Sequence, residues 1–552
     1  MRRDRHSLSL KQVFLEGKWL RGIELAAIVL LLAAAPLMLV GSGRNAGDSQ
    51  ISAIDPNVSA QAYAMPNDGW APLTAYFSPL GSSSSNGAIV RYEWDLDGNG
   101  SFETDATANG GYASYSYSKP RDYVISLRVT DANGGTAVAS TRVSVRHPAS
   151  SSVDYWTVFD DSRVRRIEVS LDQADWTQMW ADVESKYQAK ADVNVFGEEL
   201  KDVGFRMRGQ FSLRMSGDKK PWKIDTDAYI ADQEYHNLRQ LMLLNNIGDP
   251  GLLKEKLAYE MMRFAGLPAS FVSFVELWID IRDDGQDPIY WGVYSMVERV
   301  DNKYIGNRFG QDAKGGNLYK ASHAQRGPMD LIYHGDSIED YPVQNGQYAY
   351  GKMNNEAEAD YSDIVALCRV VDGTEYASDA ELIQALESSL NVDAFLRYLA
   401  VNIIIDNWDS YIYTGNNFYL FNDSVSGRFE WIPWDLTWGG GTDAPLFTRS
   451  ESGMMEGAPL YDLVFSVEKY QDAYRAYIDL LSRYWFNPQN LSPMIQQYHN
   501  MIAPYVAQST GDKAFYGEQS MFPPDAFQNS GEELKNFVTQ RSAYIQSALV
   551  QE

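Results

Sequence analysis

Apolar residues follow three patterns along the chain. A continuous run from Leu25 to Val40 carries no charge. From about Gln61 to Arg146, short alternating stretches (IVRYEWDL, YVISLRVTD, TRVSVR) are separated by the turn-rich segments GSSSSNG, DLDGNGS and DANGG. A period of two, bounded by Gly, Asn and Asp, predicts the strands of a small β-sandwich. Beyond Tyr155 the period alternates. VRRIEVSL, VGFRMRG, VELWIDI and WGVYSMVERV read as strands. LLKEKLAYEMMRFAG places Leu253, Leu257, Met261 and Phe264 on one helical face, and DAELIQALESSL and VDAFLRYLAVNIII also read as helices. Strands early and helices late predict an α+β domain.

The charges flanking the first apolar run set an orientation. Arg2, Arg3, Arg5, Lys11, Lys18 and Arg21 precede it, and only Arg44 follows closely. Basic residues favour the cytoplasmic side, so the rest of the chain is expected outside. Residues 1–22 then form a cytoplasmic basic segment and 23–43 an N-terminal hydrophobic helix, either a transmembrane anchor or a signal peptide cleaved near Gly41 to Gly43. A polar tether, Asn45 to Ala60, leads to the sandwich at 61–147, and a second polar linker, His147 to Asp154, to the α+β domain at 156–545. The expected location is membrane-anchored with extracytoplasmic domains, or secreted.

Composition narrows the chemistry. A net charge of -26 repels phosphate backbones and excludes nucleic acid as a partner. With one cysteine, Cys368, neither an intrachain disulfide nor a zinc site of several thiolates can form. Abundant Trp and Tyr suit sheet packing or a carbohydrate-facing surface. No Gly-x-Ser-x-Gly elbow occurs, and no two histidines stand at metal-binding helical spacing. Carboxylate pairs for glycoside hydrolysis stay open, because their separation is spatial.

One stretch carries more chemistry than the rest, Ile403 to Gly440. An apolar run ends at Asp406 and Asp409, Gly415-Asn416-Asn417 follows, and the strands FYLF and FEWIPW lead to Asp435. Phosphoryl transfer needs oxygen ligands for cations on the phosphates and a carboxylate to orient the attacking hydroxyl. Protein kinases order these as base, amide ligand, then metal-binding aspartate. Neither Asp406 nor Asp409 has an asparagine five residues later, so the spacing departs from that pattern and a structural Asn/Asp turn is the alternative.

Two resemblances add to this. Tyr92-Glu93-Trp94-Asp95-Leu96-Asp97-Gly98-Asn99-Gly100 and Tyr123 to Asp131 resemble the PKD (polycystic kidney disease) module, an immunoglobulin-like sandwich that usually serves as a spacer or adhesive unit. Asp95, Asp97, Asn99 and Gly100 also match half of a calcium loop, but its twelfth position is Ala106, so a plain turn is expected. The larger domain resembles the CotH kinase family, an atypical protein-kinase fold. Arg208-Gly209-Gln210-Phe211-Ser212, Lys219-Lys220-Pro221-Trp222-Lys223, Leu244-Asn245-Asn246, Leu257-Ala258-Tyr259-Glu260, Gly292-Val293-Tyr294 with Glu298, Gly316-Asn317-Leu318-Tyr319-Lys320, Asn407-Trp408-Asp409, Asn416-Asn417 and Pro433-Trp434-Asp435 carry it.

That resemblance implies Asp409 as catalytic aspartate, with Asp406 second, and Asn417 and Asp435 as magnesium or manganese ligands. It implies Arg208, Lys223 and Glu260 at ATP, with Lys223 paired to Glu260, or alternatively to Glu255. Gln210 and Phe211 depart from the family's small polar turn, and no Gly-x-Gly-x-x-Gly loop is present. The expected function is an ATP-dependent kinase acting on Ser/Thr hydroxyls of envelope or surface proteins. The alternatives are a non-catalytic, pseudokinase-like envelope protein, or a polysaccharide-binding or cleaving one. Protein substrates, the membrane, and a glycan or protein held by the PKD-like module are the expected partners.

Overall fold

The computed structural model describes residues 55–146, 153–215, 217–448, 457–508 and 522–551. The expected cytoplasmic segment and hydrophobic helix, 1–43, lie outside them. Among the described residues no helix is long and apolar enough to cross a membrane.

The first module is the expected sandwich. Tyr63–Met65, Leu73–Ser78 and Ala113–Tyr117 form one sheet; Asp68–Trp70, Thr136–Arg146, Arg121–Asp131, Ile89–Asp95 and Thr104–Asp105 form the other. Alternation along Arg121–Asp131 buries Tyr123, Ile125, Leu127 and Val129 around Trp94, as a period-two strand requires. The tether reading of 45–60 runs too far: Val58 is already in this core, on a strand paired with Ser83–Ser84. Asp95 serves its turn, accepting N–H bonds from Gly98, Asn99 and Gly100 at 2.8, 3.1 and 2.8 Å. Ala106 is packed inside, while Glu103, rather than position 106, brings a carboxylate within 4.8 Å of Asp95 and Asp97.

Seven strands then close a barrel. In neighbour order they are Arg165–Asp172, Ala189–Val195, Glu198–Met207, Trp222–Asp225, Gln240–Leu244, Ile289–Glu298 and Val272–Arg282, the last pairing parallel with the first. Val169, Phe205, Trp222, Ile224, Leu243 and Met296 fill the interior, and Trp176 and Trp180 of the helix Gln173–Ala181 pack on Trp291. The second lobe is a four-stranded sheet, ordered Gly351–Lys352, Leu318–Lys320, Phe418–Asp423 and Arg428–Pro433, under the helices Val392–Ile404, Glu468–Tyr484, Pro488–Val506 and Ala526–Gln551.

The helix Lys254–Phe264 joins the two lobes, and the sandwich grips its end. Tyr76 packs on Phe264 and on Tyr484, with ring centroids 5.0 and 4.6 Å apart. Met65 is fully buried in the large core, Arg483 covers the Tyr112 ring at 3.6 Å, and Gly266 leaves no room for a Cβ beside Pro66. The module therefore docks on the joining helix and on the second lobe, which a spacer would not do. Burying Tyr76 and Met65 against a second surface supplies the apolar area that holds it there.

Candidate active site

The acidic loop begins where a helix is made to end. Val392–Ile404 stops at Asp406, whose φ of 53° is the left-handed conformation that closes helices. Arg541, buried on the C-terminal helix, donates to the carbonyls of Ile404 and Ile403 at 3.1 and 2.7 Å, satisfying acceptors the helix leaves open. The Asp406 carboxylate accepts from Gly441 N at 2.8 Å, and a Cβ on Gly439 would collide with it. Asp406 thus folds the loop onto the 439–441 turn, a structural role that Asp409 does not share.

Asp409 occupies a different setting. Thr414 Oγ1 donates to its Oδ1 at 2.7 Å, Asn417 Nδ2 to its Oδ2 at 2.8 Å, and Asn416 Nδ2 bridges both at 3.2 and 3.3 Å. Those four contacts take up the roughly four acceptor positions of an ionised carboxylate, so a hydroxyl reaches Asp409 by displacing one of the two long Asn416 contacts. With its nitrogen turned to Asp409, Asn417 keeps its amide oxygen without a donor among the described residues. Asn417 and Asp435 both sit at positive φ, 61° and 50°, a costly backbone that recurs where side chains must be aimed.

Asp435 lies two residues past the end of the strand Arg428–Pro433, in the cleft that Arg208 and Lys320 line. Water reaches its carboxylate, yet protein surrounds it closely enough that desolvation raises its pKa; Arg208 and Lys320 oppose that rise and Asp409 adds to it. The carboxylate makes no hydrogen bond or ion pair among the described residues. Hard oxygen donors left open on Asp435 and Asn417 fit a magnesium or manganese ion.

The cations facing it are also unpaired. Arg208 follows the strand Glu198–Met207 and is turned into the cleft by Gly209, whose φ is 88°. Its side chain has no hydrogen bond among the described residues; burial pushes it down, with Asp435 the strongest opposing charge. Lys320, ending the strand Leu318–Lys320, lies over the rings of Trp434 and Tyr419 at 5.2 and 5.4 Å. Burial, with Arg208 and Arg299 adding to it, brings its ammonium down to about 7. The Gly-Asn-Leu-Tyr-Lys segment that carried the resemblance contains Lys320, yet Lys320 was not among the residues expected at ATP. Gln210 reaches across to Gln325 at 3.4 Å, and Phe211 is exposed.

Two expected roles need correction. Lys223 does not pair with Glu260: its ammonium lies 2.5 Å from Asp225, two residues along the same strand face. Glu260 instead binds Lys256 at 2.6 Å and accepts from the Tyr498 hydroxyl at 2.7 Å. On one helix, residues five apart differ by about 140° in direction, so Glu255 and Glu260 cannot both face the cleft. Glu255 is the one that does; Asp435 is the strongest charge acting on it, its Oε1 is buried without a partner, and desolvation pushes it well above the usual range.

Comparison with known proteins assigns the chain. The CotH kinase protein family model matches residues 205–545 and the PKD domain model residues 57–145. The inner spore coat protein H of Bacillus subtilis is 20% identical over 292 residues, 52% of this chain and 74% of that protein. Invasin CotH2 of Rhizopus delemar is 24% identical over 326 residues, 55% of this chain and 50% of the invasin, so the chain spans about half of that relative. The crystal structure of the PKD1 domain from the Vibrio cholerae metalloprotease PrtV is 27% identical, covering 16% of this chain and 96% of that domain with a TM-score of 0.14. The chain belongs to the CotH kinase protein family and carries a PKD domain ahead of the family domain.

Proposed function

We propose that the cleft binds a divalent metal and ATP and transfers the γ-phosphoryl group to Ser/Thr hydroxyls of envelope or surface proteins. The observation that carries this reading is a matched set of unsatisfied groups. Arg208 and Lys320 have no anionic partner at hydrogen-bond distance, and Asp435 has no cation there. Unpaired opposite charges lining one cleft are costly unless a ligand completes them, and a metal–triphosphate carries both signs. In this scheme Asp435 and Asn417 hold magnesium or manganese, with Glu255 as a further oxygen donor. Arg208 and Lys320 hold the phosphates, and Asp409 orients the acceptor hydroxyl. The relatives' names, a spore coat protein and an invasin, support a substrate outside the cytoplasm, with the PKD domain available for glycan or protein contact.

Thermal unfolding of the full chain tests the binding step, since a ligand of the native state must raise its stability. ATP with manganese at about 100 times Kd is expected to stabilise the parent by about 2.7 kcal/mol, and to stabilise Asp435→Ala no more than ATP without metal does. No shift in the parent would leave a non-catalytic envelope protein as the better account.

The lysine adds a pH signature. Phosphate binding needs the Lys320 ammonium, which is present below about pH 7 and is lost above it. Binding above that point must take up a proton, so ATP affinity should fall by up to about tenfold per pH unit from 7 towards 9. Lys320→Arg, charged throughout, should flatten the decline; an unchanged slope would remove Lys320 from the phosphate site.

A further inference from the structure

Asp435 carries a conformational cost that something must hold in place. Its φ of 50° is left-handed, a region non-glycine residues seldom occupy without support. The support visible in the structure comes from the opposite side of the cleft. Its backbone N–H donates to the Tyr259 hydroxyl oxygen at 3.0 Å. Tyr259 is fully buried in the middle of the helix Lys254–Phe264, one turn from Glu255, so a single helical face presents both a carboxylate and a backbone anchor to the metal strand.

The helix is itself held at several points. Lys256 Nζ donates to Asp161 Oδ2 at 2.6 Å and to Val272 O at 2.9 Å. Arg397, bonded to Asp393 at 2.9 Å, donates to Ala265 O just past the helix end, and Tyr76 of the sandwich covers Phe264. Any shift of this helix along its axis would therefore break the Tyr259 bond and release the backbone of Asp435.

We propose that Tyr259 is a positioning residue for the metal site: its hydroxyl latches Asp435 in its strained backbone and couples the carboxylate's aim to the helix. The inference rests on the reading of Asp435 as a metal ligand. Its test is the metal-dependent part of ATP binding, measured by calorimetry on the full chain as the ratio of Kd without metal to Kd with manganese. Tyr259→Phe removes one oxygen and keeps the ring. It is expected to cut that ratio by about tenfold, the cost of leaving one donor unpaired, while metal-free ATP binding through Arg208 and Lys320 stays within about twofold.

Asp435→Asn separates the two ideas. If it leaves the ratio intact, the metal reading fails and the latch with it. If it abolishes the ratio while Tyr259→Phe keeps the ratio in full, or weakens both forms of ATP binding equally, the latch alone is wrong. Native-state hydrogen exchange of the unmutated chain checks the bond without any variant. The Asp435 amide should be protected, and exchange at the rate of a free amide would overturn the proposal.

Discussion

Asp409→Asn should lower phosphoryl transfer by about a hundred- to ten-thousandfold, the usual worth of a positioned acid–base group, and leave ATP–metal affinity unchanged. The hydrogen bonds around the carboxylate explain why the two effects should separate. Asn417 holds Oδ2 and Thr414 holds Oδ1. In the variant the amide oxygen can stay toward Asn417, putting the new NH2 beside Thr414. The Thr414 hydroxyl already has a second acceptor, Ser410 O at 3.1 Å, and can turn to it while accepting from the new amide. Asn416 Nδ2 loses its 3.2 Å contact on the Thr414 side and keeps the 3.3 Å contact to the remaining oxygen, so the aim of Asn417 should survive while proton acceptance is lost. Transfer to an acceptor protein from radiolabelled ATP, beside calorimetry with manganese, decides it. Loss of metal-dependent binding together with transfer would make Asp409 a support for Asn417 rather than a base.

Order along the chain made Asp409, Asn417 and Asp435 selectable, because an acid, an amide and an acid on loop and strand ends are written in sequence. Direction was not. Lys223 alternates with Trp222 and Ile224, and either set could have faced the cleft; the barrel interior took the tryptophan, and Asp225 two residues on captured the lysine. Lys320 stands in an equally ordinary strand, and only its place beside Trp434 and Asp435 distinguishes it. Along the helix, Glu255 and Glu260 are alike until Lys256 fixes Glu260 on the far face. The sandwich was legible from its period of two, but its docking was not. Tyr76 and Met65 look like ordinary strand positions, and only a partner surface makes a second face of a strand apolar for a reason.

Arg308→Leu should destabilise the chain by about 3–5 kcal/mol, the cost of stranding a buried charge. Arg308 is 5% exposed and pairs with Glu298, 1% exposed, at the junction of the strand Ile289–Glu298 and the helix Asn302–Phe309. Rings of Tyr155, Tyr304 and Phe271 lie 4.5, 4.9 and 5.1 Å from the guanidinium, so water cannot replace it. Desolvation already holds the Glu298 carboxyl above its usual value, against the pull of Arg308. Without Arg308 it should rise further. A carboxyl raised in the folded state contributes stability that is full below its unfolded pKa, about 4.3, and is lost as pH climbs through the folded value. The variant should therefore lie nearest the parent in acid and fall away toward neutrality. Glu298→Met combined with Arg308→Leu should recover most of the loss, because well-packed apolar side chains replace buried pairs at little cost. Urea unfolding at pH 5 and pH 8 measures all three chains, and a gap that stays constant between the two pH values would show that Glu298 is not the stranded charge.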